Sequence, residues 1–160
     1  MHKMPELEVF LKEKTEEILT QMGLPAGISV KLSAEQALVE ITPQKEEDTP
    51  LLIGFHGQTL DALQTILRAV VFRNLGKAPA VSVEAGDYRK QREEELRRRA
   101  LEAADKARFL LKEVSFPAMP PHERRLIHIT LSEEKGVRTE SRGERRERHV
   151  VVVPEGGSKA

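Results

Sequence analysis

Residues 52–60 read LIGFHGQTL, and two glycines in this stretch, Gly54 and Gly57, lie three positions apart directly before a strongly periodic apolar segment. Glycines in this arrangement predict either a tight corner between a loop and a helix or a place where another molecule comes close to the backbone. The apolar side chains that follow recur at helical spacing and predict a helix ending near residues 74–76: Leu60, Leu63, Ile66, Leu67, Val70 and Val71. The stretch alone leaves both interpretations of the glycines open.

The segments around the glycines predict a small unit of helices and strands. Apolar residues at helical spacing over 7–22 indicate a first helix. Alternating patterns predict two antiparallel strands at 28–32 and 37–41, and a third strand at 80–84. The predicted order is therefore helix, strand, strand, a single helical turn, the glycine turn, helix and strand.

The second half of the chain predicts a different arrangement. A long helix is expected over 88–112, followed by a proline-rich connector, a helix over 122–131 and strands at 137–141 and 149–153. Each glutamate in the run 93–99 stands four residues before an arginine, which favours paired charges on a solvated helix face. The expected buried positions of the long helix are Leu96, Ala100, Ala103, Ala107, Leu110 and Leu111.

The composition restricts the classes of function. The chain has 160 residues, 39% of them hydrophobic and 32% charged, which suits a folded protein. It contains no cysteine, so disulfides, thiolate zinc sites and cysteine nucleophiles are excluded. No apolar run approaches the roughly 20 residues needed to span a bilayer, and the N-terminus lacks a signal-peptide core. We therefore expect a cytoplasmic protein.

Charge is unevenly distributed along the chain, although the formal net charge is zero. Residues 1–86 carry 8 lysines and arginines against 12 acidic residues, whereas residues 87–160 carry 18 against 14. Residues 135–149 alone carry six basic side chains against three acidic ones. The second half is therefore the expected surface for an anionic partner.

A second motif lies in residues 120–129, PPHERRLIHI. Arg124 and His128 are four residues apart and share a helix face. Taken alone, such a pair is more often a surface pair or a satisfied polar contact of the core than a binding site. Further candidates for phosphate contact lie on or beside the final predicted hairpin: Arg138, Arg142, Arg145 and Arg146.

The order of elements around the glycine turn resembles a bacterial-type (type II) KH domain, whose GxxG loop clamps a single-stranded nucleic-acid backbone. The resemblance implies that Gly54, Phe55, His56 and Gly57 contact nucleic acid. That family usually has Lys or Arg between the glycines, so this chain is expected to have no permanent cation on the clamp. An aromatic ring at this position can stack on a base, and it can equally contact a protein.

Residues 120–129, with the later VRTESRGE, resemble the R-three-H domain, a small fold of helices against a three-stranded sheet that binds single-stranded nucleic acid. Arg124 and His128 match its Arg-x-x-x-His motif, and the resemblance implies another strand near 114–116. Together the two modules resemble the bacterial Jag (SpoIIIJ-associated, KhpB/EloR) family over about residues 5–154. Many members carry an additional N-terminal Jag domain. We expect this sequence to lack it, and functions tied to it, including an envelope link, are not expected here.

We therefore predict an α+β protein with three parts: a type II-like KH domain of order α-β-β-α-α-β at 1–86, an R-three-H-like domain at 87–154 and a flexible tail at 155–160. On the helix after the glycine turn, Phe72 is expected in the core. Three polar residues are expected on its solvated face: Asp61, Gln64 and Arg68.

The predicted function is non-catalytic binding of single-stranded RNA. The family resemblance further implies post-transcriptional or cell-elongation roles, and a small single-KH protein or self-association as a partner. The alternative is an assembly adaptor whose KH-like module binds a protein. A hydrolase is disfavoured because no paired carboxylates, nucleophile-base pair or metal-ligand cluster accompany His128. No cofactor and no metal are expected.

Overall fold

The computed structural model of the chain describes residues 4–76 and 79–156. The chain forms two compact units, Met1–Arg89 and Lys90–Ala160. Within the described residues, the helices are too short or too polar to cross a membrane. Of the predicted tail, residues 157–160 lie outside the described residues.

The first unit has the predicted order of elements. Its helices are α1 (Met4–Gln21), α2 (Thr49–Ile53) and α3 (Gln58–Leu75), and its strands are β1 (Ala26–Leu32), β2 (Gln36–Pro43) and β3 (Ala80–Glu84). Short 3-10 turns at Glu46–Asp48 and Phe55–Gly57 precede α2 and α3. The predicted α-β-β-α-α-β order is confirmed.

The sheet of the first unit has β2 at its centre. Strand β1 pairs with β2 in antiparallel fashion, and β3 joins the other side of β2 in parallel. Alternate residues of the strands point into one core, as the two-residue period of a strand requires. These residues pack with the buried faces of the long helices, and the cluster includes Val39, Ile41, Val83, Leu11, Leu19, Leu60 and Leu67.

The second unit is built on helix α4 (Tyr88–Leu110), whose first two residues belong to the first unit. The elements that follow are β4 (Val114–Ser115), α5 (Pro121–Leu131), β5 (Val137–Arg142), a 3-10 turn at Arg145–Glu147 and β6 (His149–Pro154). The sheet order is β4-β6-β5, and both pairings are antiparallel. Buried alanines of α4 pack in one cluster with Leu96, Ile127 and Val152.

Four sequence predictions about packing are wrong. Phe72 is 68% exposed, because it follows buried Val71 on α3 and is rotated about 100° away from the core. Leu110 and Leu111 are exposed, because α4 ends at Leu110 and Leu111 takes a left-handed backbone conformation with φ 53°. Arg98 pairs with Glu102, four residues after it, rather than with the preceding glutamate.

Candidate nucleic-acid interface

The glycine turn is a crowded corner between α2 and α3. Gly54 and Gly57 both have positive φ, 72° and 79°. A Cβ atom on Gly54 would lie 2.2 Å from Thr59 Oγ1, and one on Gly57 would lie 3.1 Å from Tyr88 Cε1. Internal packing therefore accounts for both glycines, which is the corner interpretation. Contact of this turn with nucleic acid stays a prediction.

The side chains between the glycines form an aromatic pair on the surface. Phe55 is 65% exposed, and its ring centroid lies 4.0 Å from that of His56, with the ring planes tilted by 50°. No side chain caps α3 at Gly57, so the first N–H groups of this helix keep their positive potential beside the pair. The turn thus combines an exposed aromatic surface with the positive end of a helix dipole.

Two residues that the sequence analysis did not select hold the turn in place. The ring of Tyr88 packs against Gly57. Arg89 bridges the start of α3 to the end of β3, because its guanidinium lies 2.9 Å from Asp61 Oδ1 and 2.9 Å from Glu84 Oε1. Burial raises the pKa of Glu84, and the Arg89 charge partly opposes that effect. No local pattern signals these contacts, since they join distant parts of the chain.

Arg124 is positioned at the beginning of α5. Pro121 occupies the first turn of the helix, as the sequence predicted. Arg124 donates from Nη1 to the carbonyl oxygen of Met119 at 2.7 Å. Among the described residues, no carboxylate pairs with Arg124, so the rest of its guanidinium keeps its donors and its charge. Half-buried Arg124 is therefore available to an anionic ligand.

A buried ion pair holds this end of α5. Glu123 is 2% exposed and accepts two hydrogen bonds from Arg92, from Nε at 2.8 Å and from Nη2 at 3.1 Å. Two parallel hydrogen bonds fix both distance and orientation. The pair therefore anchors the first turn of α5 on α4, and with it the backbone of the neighbouring Arg124. Sequence reasoning missed this pair, because the partners lie far apart in the sequence.

His128 lies one turn further along α5 and faces β5. Its Nδ1 lies 2.6 Å from Thr139 Oγ1, and its Nε2 lies 2.8 Å from Ser141 Oγ. Burial, followed by the charge of Arg124, lowers the pKa of His128 below its ordinary value. His128 is thus a neutral ring at neutral pH whose two nitrogens orient two hydroxyl groups. The i, i+2 spacing of Thr139 and Ser141 on a predicted strand was the available signal for them.

The alternation of β5 puts the predicted arginines of this strand on the other side of the sheet. Because Thr139 and Ser141 face His128, their neighbours Arg138, Glu140 and Arg142 point away from α5. The predicted site residues of the second unit therefore do not form one cluster. Arg124 and His128 share the helix side, and Arg138 and Arg142 share the opposite face.

An ionic network covers that opposite face. Arg142 donates to both carboxylate oxygens of Glu113, at 2.7 and 2.9 Å, and also to Glu140 at 2.9 Å. Arg138 pairs with Glu140 as well. These contacts lower the pKa values of Glu113 and Glu140 and raise that of Arg142. The charges of Arg138 and Arg142 are thus balanced by two carboxylates within the protein.

The hairpin tip between β5 and β6 carries exposed arginines. Arg145 and Arg146 lie in the 3-10 turn, and Arg145 has a left-handed backbone with φ 50°. Neither side chain pairs with a carboxylate among the residues that the structure describes, and both are exposed. Arg148 donates to the carbonyl oxygen of Gly143 at 3.1 Å and is exposed too. The tip therefore exposes three arginines without a carboxylate partner in the described ranges, beside two exposed glutamates, Glu144 and Glu147.

Metal chemistry has no evident centre in the described parts of the chain. Within 4–76 and 79–156, no three histidine or acidic side chains lie together in a way that could hold an ion. The ring nitrogens of His128 contact hydroxyl groups instead of carboxylates. The arrangement of the site suits the binding of an anionic chain.

Comparisons with known proteins match both units. Residues 12–84 match the family model described as the KhpA/KhpB KH domain, and residues 94–154 match the R-three-H domain. The chain is 34% identical over 140 residues to RNA-binding protein KhpB of Clostridium symbiosum, covering 88% of this chain and 63% of that protein. It is 36% identical over 129 residues to RNA-binding protein KhpB of Bacillus subtilis, covering 79% and 61%.

A third relative, RNA-binding protein KhpB of Lactiplantibacillus plantarum, is 34% identical over 138 residues, which cover 85% of this chain and 41% of that protein. The chain thus spans less than two thirds of the length of the curated relatives it matches. The two matched domains occur in the order that the sequence predicted and cover most of the chain. The chain therefore belongs to the KhpB family, also called the Jag family, in which a KhpA/KhpB-type KH domain is followed by an R-three-H domain.

Proposed function

We propose that this protein binds single-stranded RNA without catalysing a reaction on it. The observation that carries the proposal is the match of residues 12–84 to the KhpA/KhpB KH domain, followed in the same chain by an R-three-H domain. Single strands are the usual targets of KH domains, because their unstacked bases are accessible. The relatives named RNA-binding protein KhpB support the same ligand class.

The KH domain contributes the surface of residues 54–57. A phosphate near this turn meets the uncapped start of α3, where N–H groups and the helix dipole favour negative charge. The exposed ring of Phe55 offers a stacking platform for a base, a contact that tolerates any sequence. His56 lies beside that ring and completes the surface.

The R-three-H domain contributes most of the positive charge. Arg124 and the exposed hairpin arginines Arg145 and Arg146 contact phosphates, and they give affinity rather than sequence specificity. His128 acts through the hydroxyls of Thr139 and Ser141, because its lowered pKa leaves it uncharged at neutral pH. Arg138 and Arg142 contribute little while Glu113 and Glu140 hold them.

The cellular role follows from this ligand class. A protein that binds single-stranded RNA without a reaction acts by occupying or presenting its RNA, so we assign it to post-transcriptional regulation in the cytoplasm. Control of cell elongation is the process that the family resemblance implies. The two domain matches support the ligand class from which the first assignment is drawn.

The test compares the parent chain with a variant in which Phe55 and His56 are both replaced by aspartate. Two negative charges on the turn repel phosphate, and like-charge contacts of this kind cost several kcal/mol. The matched control carries Thr20→Asp and Gln44→Asp at two exposed positions outside the turn. Fluorescence anisotropy with labelled oligouridine should show a much larger loss for the turn variant than for the control.

Equal binding by the turn variant and the parent would remove the KH turn from the interface. A parent chain that binds no single-stranded RNA would refute the proposal as a whole. Circular dichroism of each variant shows whether the folded state is kept.

A second candidate function is supported by one surface of the KH domain. A groove of about 560 Å³ lies between α1 and α3, and the apolar part of its lining comes from Ile18, Met22, Ile66 and Val70. Exposed apolar side chains in a groove suit a protein partner. We propose a small single-KH protein or a second copy of this chain as that partner, with RNA binding then confined to the R-three-H domain. Sedimentation of the chain alone distinguishes self-association from a monomer.

A further inference from the structure

Strand β3 is an edge strand, and side chains hydrogen-bond to several of its outward-facing backbone groups. The N–H of Val83 donates to Gln64 Oε1 at 3.0 Å, and Arg68 Nε donates to the carbonyl oxygen of Val81 at 2.8 Å. Free edges normally expose unpaired N–H and C=O groups. Here the side chains of Gln64 and Arg68 cover two of these groups and present their own outer ends instead.

These two contacts determine which atoms face outward. Because Gln64 Oε1 accepts from the Val83 N–H, the amide oxygen points inward and the NH₂ group points away from the strand. Because Arg68 uses Nε on Val81, its two Nη groups remain as donors, and no carboxylate pairs with them among the described residues. The outer ends of Gln64 and Arg68 therefore both present hydrogen-bond donors at the seam between α3 and β3.

The seam starts at the proposed RNA-binding turn. Helix α3 begins directly after Gly57, and Gln64 and Arg68 lie four residues apart on the face of this helix that meets β3. A strand of nucleotides that crosses the turn can thus lay its bases along the seam.

The local charges favour a base over a phosphate at this seam. Asp61 and Glu84 lie where the first turn of α3 meets the end of β3, and Arg89 pairs with both. Glu40 on β2 lies opposite Glu84 on β3. Because Lys31 pairs with Glu40, three basic and three acidic side chains give this part of the molecule no net positive charge to attract a phosphate. A neutral base edge needs no such charge and still accepts hydrogen bonds from the donors.

We infer that Gln64 and Arg68 select bases in the KH domain, and that they favour uracil and guanine over adenine. Uracil O4 and guanine O6 and N7 are acceptors, which match outward-facing donors. Adenine shares the N7 acceptor of guanine, but it presents its N6 amino group where guanine has O6, so at that position a donor meets a donor. This inference rests on the proposed binding of RNA by the KH domain, and it adds the identity of the preferred bases.

The test is the substitution Gln64→Glu in the full chain. Glutamate still accepts from the Val83 N–H, but its outer atom becomes an acceptor, which suits the adenine amino group and repels O4 of uracil. Anisotropy titrations at about pH 8, where the new carboxyl is ionised, give the ratio of affinities for oligouridine and oligoadenosine of equal length. One neutral hydrogen bond changes affinity about fivefold, so losing one and gaining another should lower this ratio roughly tenfold or more.

The matched control is Ala69→Glu, which adds the same charge at an exposed position of α3. It should lower both affinities and leave their ratio unchanged. A second variant, Arg68→Lys, keeps the charge and a donor for Val81 but loses the outward guanidinium fork. Arg68→Lys should lower the ratio about threefold, the scale of one weak hydrogen bond. This measurement tests the inference independently of whether Gln64→Glu folds.

A parent chain that binds both oligomers, with an unchanged ratio in Gln64→Glu and Arg68→Lys, would overturn this inference and leave the proposed function intact. A parent chain that binds neither oligomer would overturn both. A ratio that falls in the two seam variants and stays constant in Ala69→Glu supports the assignment.

Discussion

Removal of two carboxylates should expose two additional phosphate-binding groups on the R-three-H domain. The double variant Glu113→Gln, Glu140→Gln replaces the acids that hold Arg142 and Arg138 with neutral amides of the same shape. In the parent these acids compete with RNA phosphates for the same guanidinium donors. We therefore expect the variant to bind single-stranded RNA more tightly than the parent.

The salt dependence gives the size of the effect. Each phosphate contact made by a single strand adds about 0.7 to the slope of log affinity against log salt concentration. Two newly available arginines should therefore steepen the slope by up to about 1.4. The gain in affinity should be largest at low salt, because screening weakens exposed charges.

Fluorescence anisotropy with labelled oligouridine, recorded between about 50 and 200 mM salt, measures both quantities. The matched control is Glu93→Gln with Glu102→Gln. It removes two acids that pair with Arg97 and Arg98 on the solvated face of α4 and changes the net charge equally. A slope that steepens as much in the control would show that only overall charge matters. An unchanged slope in the test variant would refute the reasoning. A lower slope for the single variant Arg142→Ala than for the parent would refute it too, because Arg142 would then already contact phosphate in the parent.

Three further outcomes are expected. Arg124→Ala should weaken RNA binding about tenfold, the scale of one charge-assisted hydrogen bond, and Arg98→Ala should not; equal losses in anisotropy would contradict the role of the motif. Glu123→Gln should lower the unfolding free energy of the second unit by about 2 to 3 kcal/mol, because Arg92 then lies against a neutral partner. Hydrogen exchange in residues 121–131 measures this loss, and unchanged exchange would contradict it. The pKa of His128 is lowered in the folded state, so as pH falls below 6.5 the unfolded chain binds a proton at His128 before the folded chain does, and the free energy of unfolding should fall. Urea unfolding at about pH 7 and 5.5 should show a smaller fall for His128→Gln than for the parent. Equal falls would argue against this role of His128.

Periodicity predicted the elements well where a single face is buried. The helix after the glycines and the alternating strands of the first unit follow patterns that burial imposes over many residues. The prediction failed at helix ends and flanks. Leu110 and Leu111 continue the apolar pattern of α4, but a left-handed residue turns the chain away from the core. The prediction that Phe72 is buried failed because an apolar residue beside the apolar stripe of α3 does not show how wide the buried face of the helix is.

The sequence predicted the motifs of the candidate site but not the contacts that their side chains make. The glycine turn and the Arg-x-x-x-His helix are local patterns, and each occurs where the sequence indicated. The seam donors were missed because Gln64 and Arg68 read as solvated helix positions, whereas their inner atoms reach β3. The pairing of Arg142 with Glu113 was equally inaccessible, since it depends on which strands become neighbours.

The strict alternation of β5 has a consequence for insertions and deletions. A one-residue shift of this strand would turn Arg138, Glu140 and Arg142 toward α5, and Thr139 and Ser141 toward solvent. The charged side chains would then meet His128, and the buried edge of the helix would lose its hydroxyl partners. The loop from Ser132 to Gly136 is largely exposed, but Glu134 pairs with Arg108 and Gly136 has a positive φ. An added or lost residue there keeps the two faces of the sheet in place only where the loop absorbs the change in length without shifting β5.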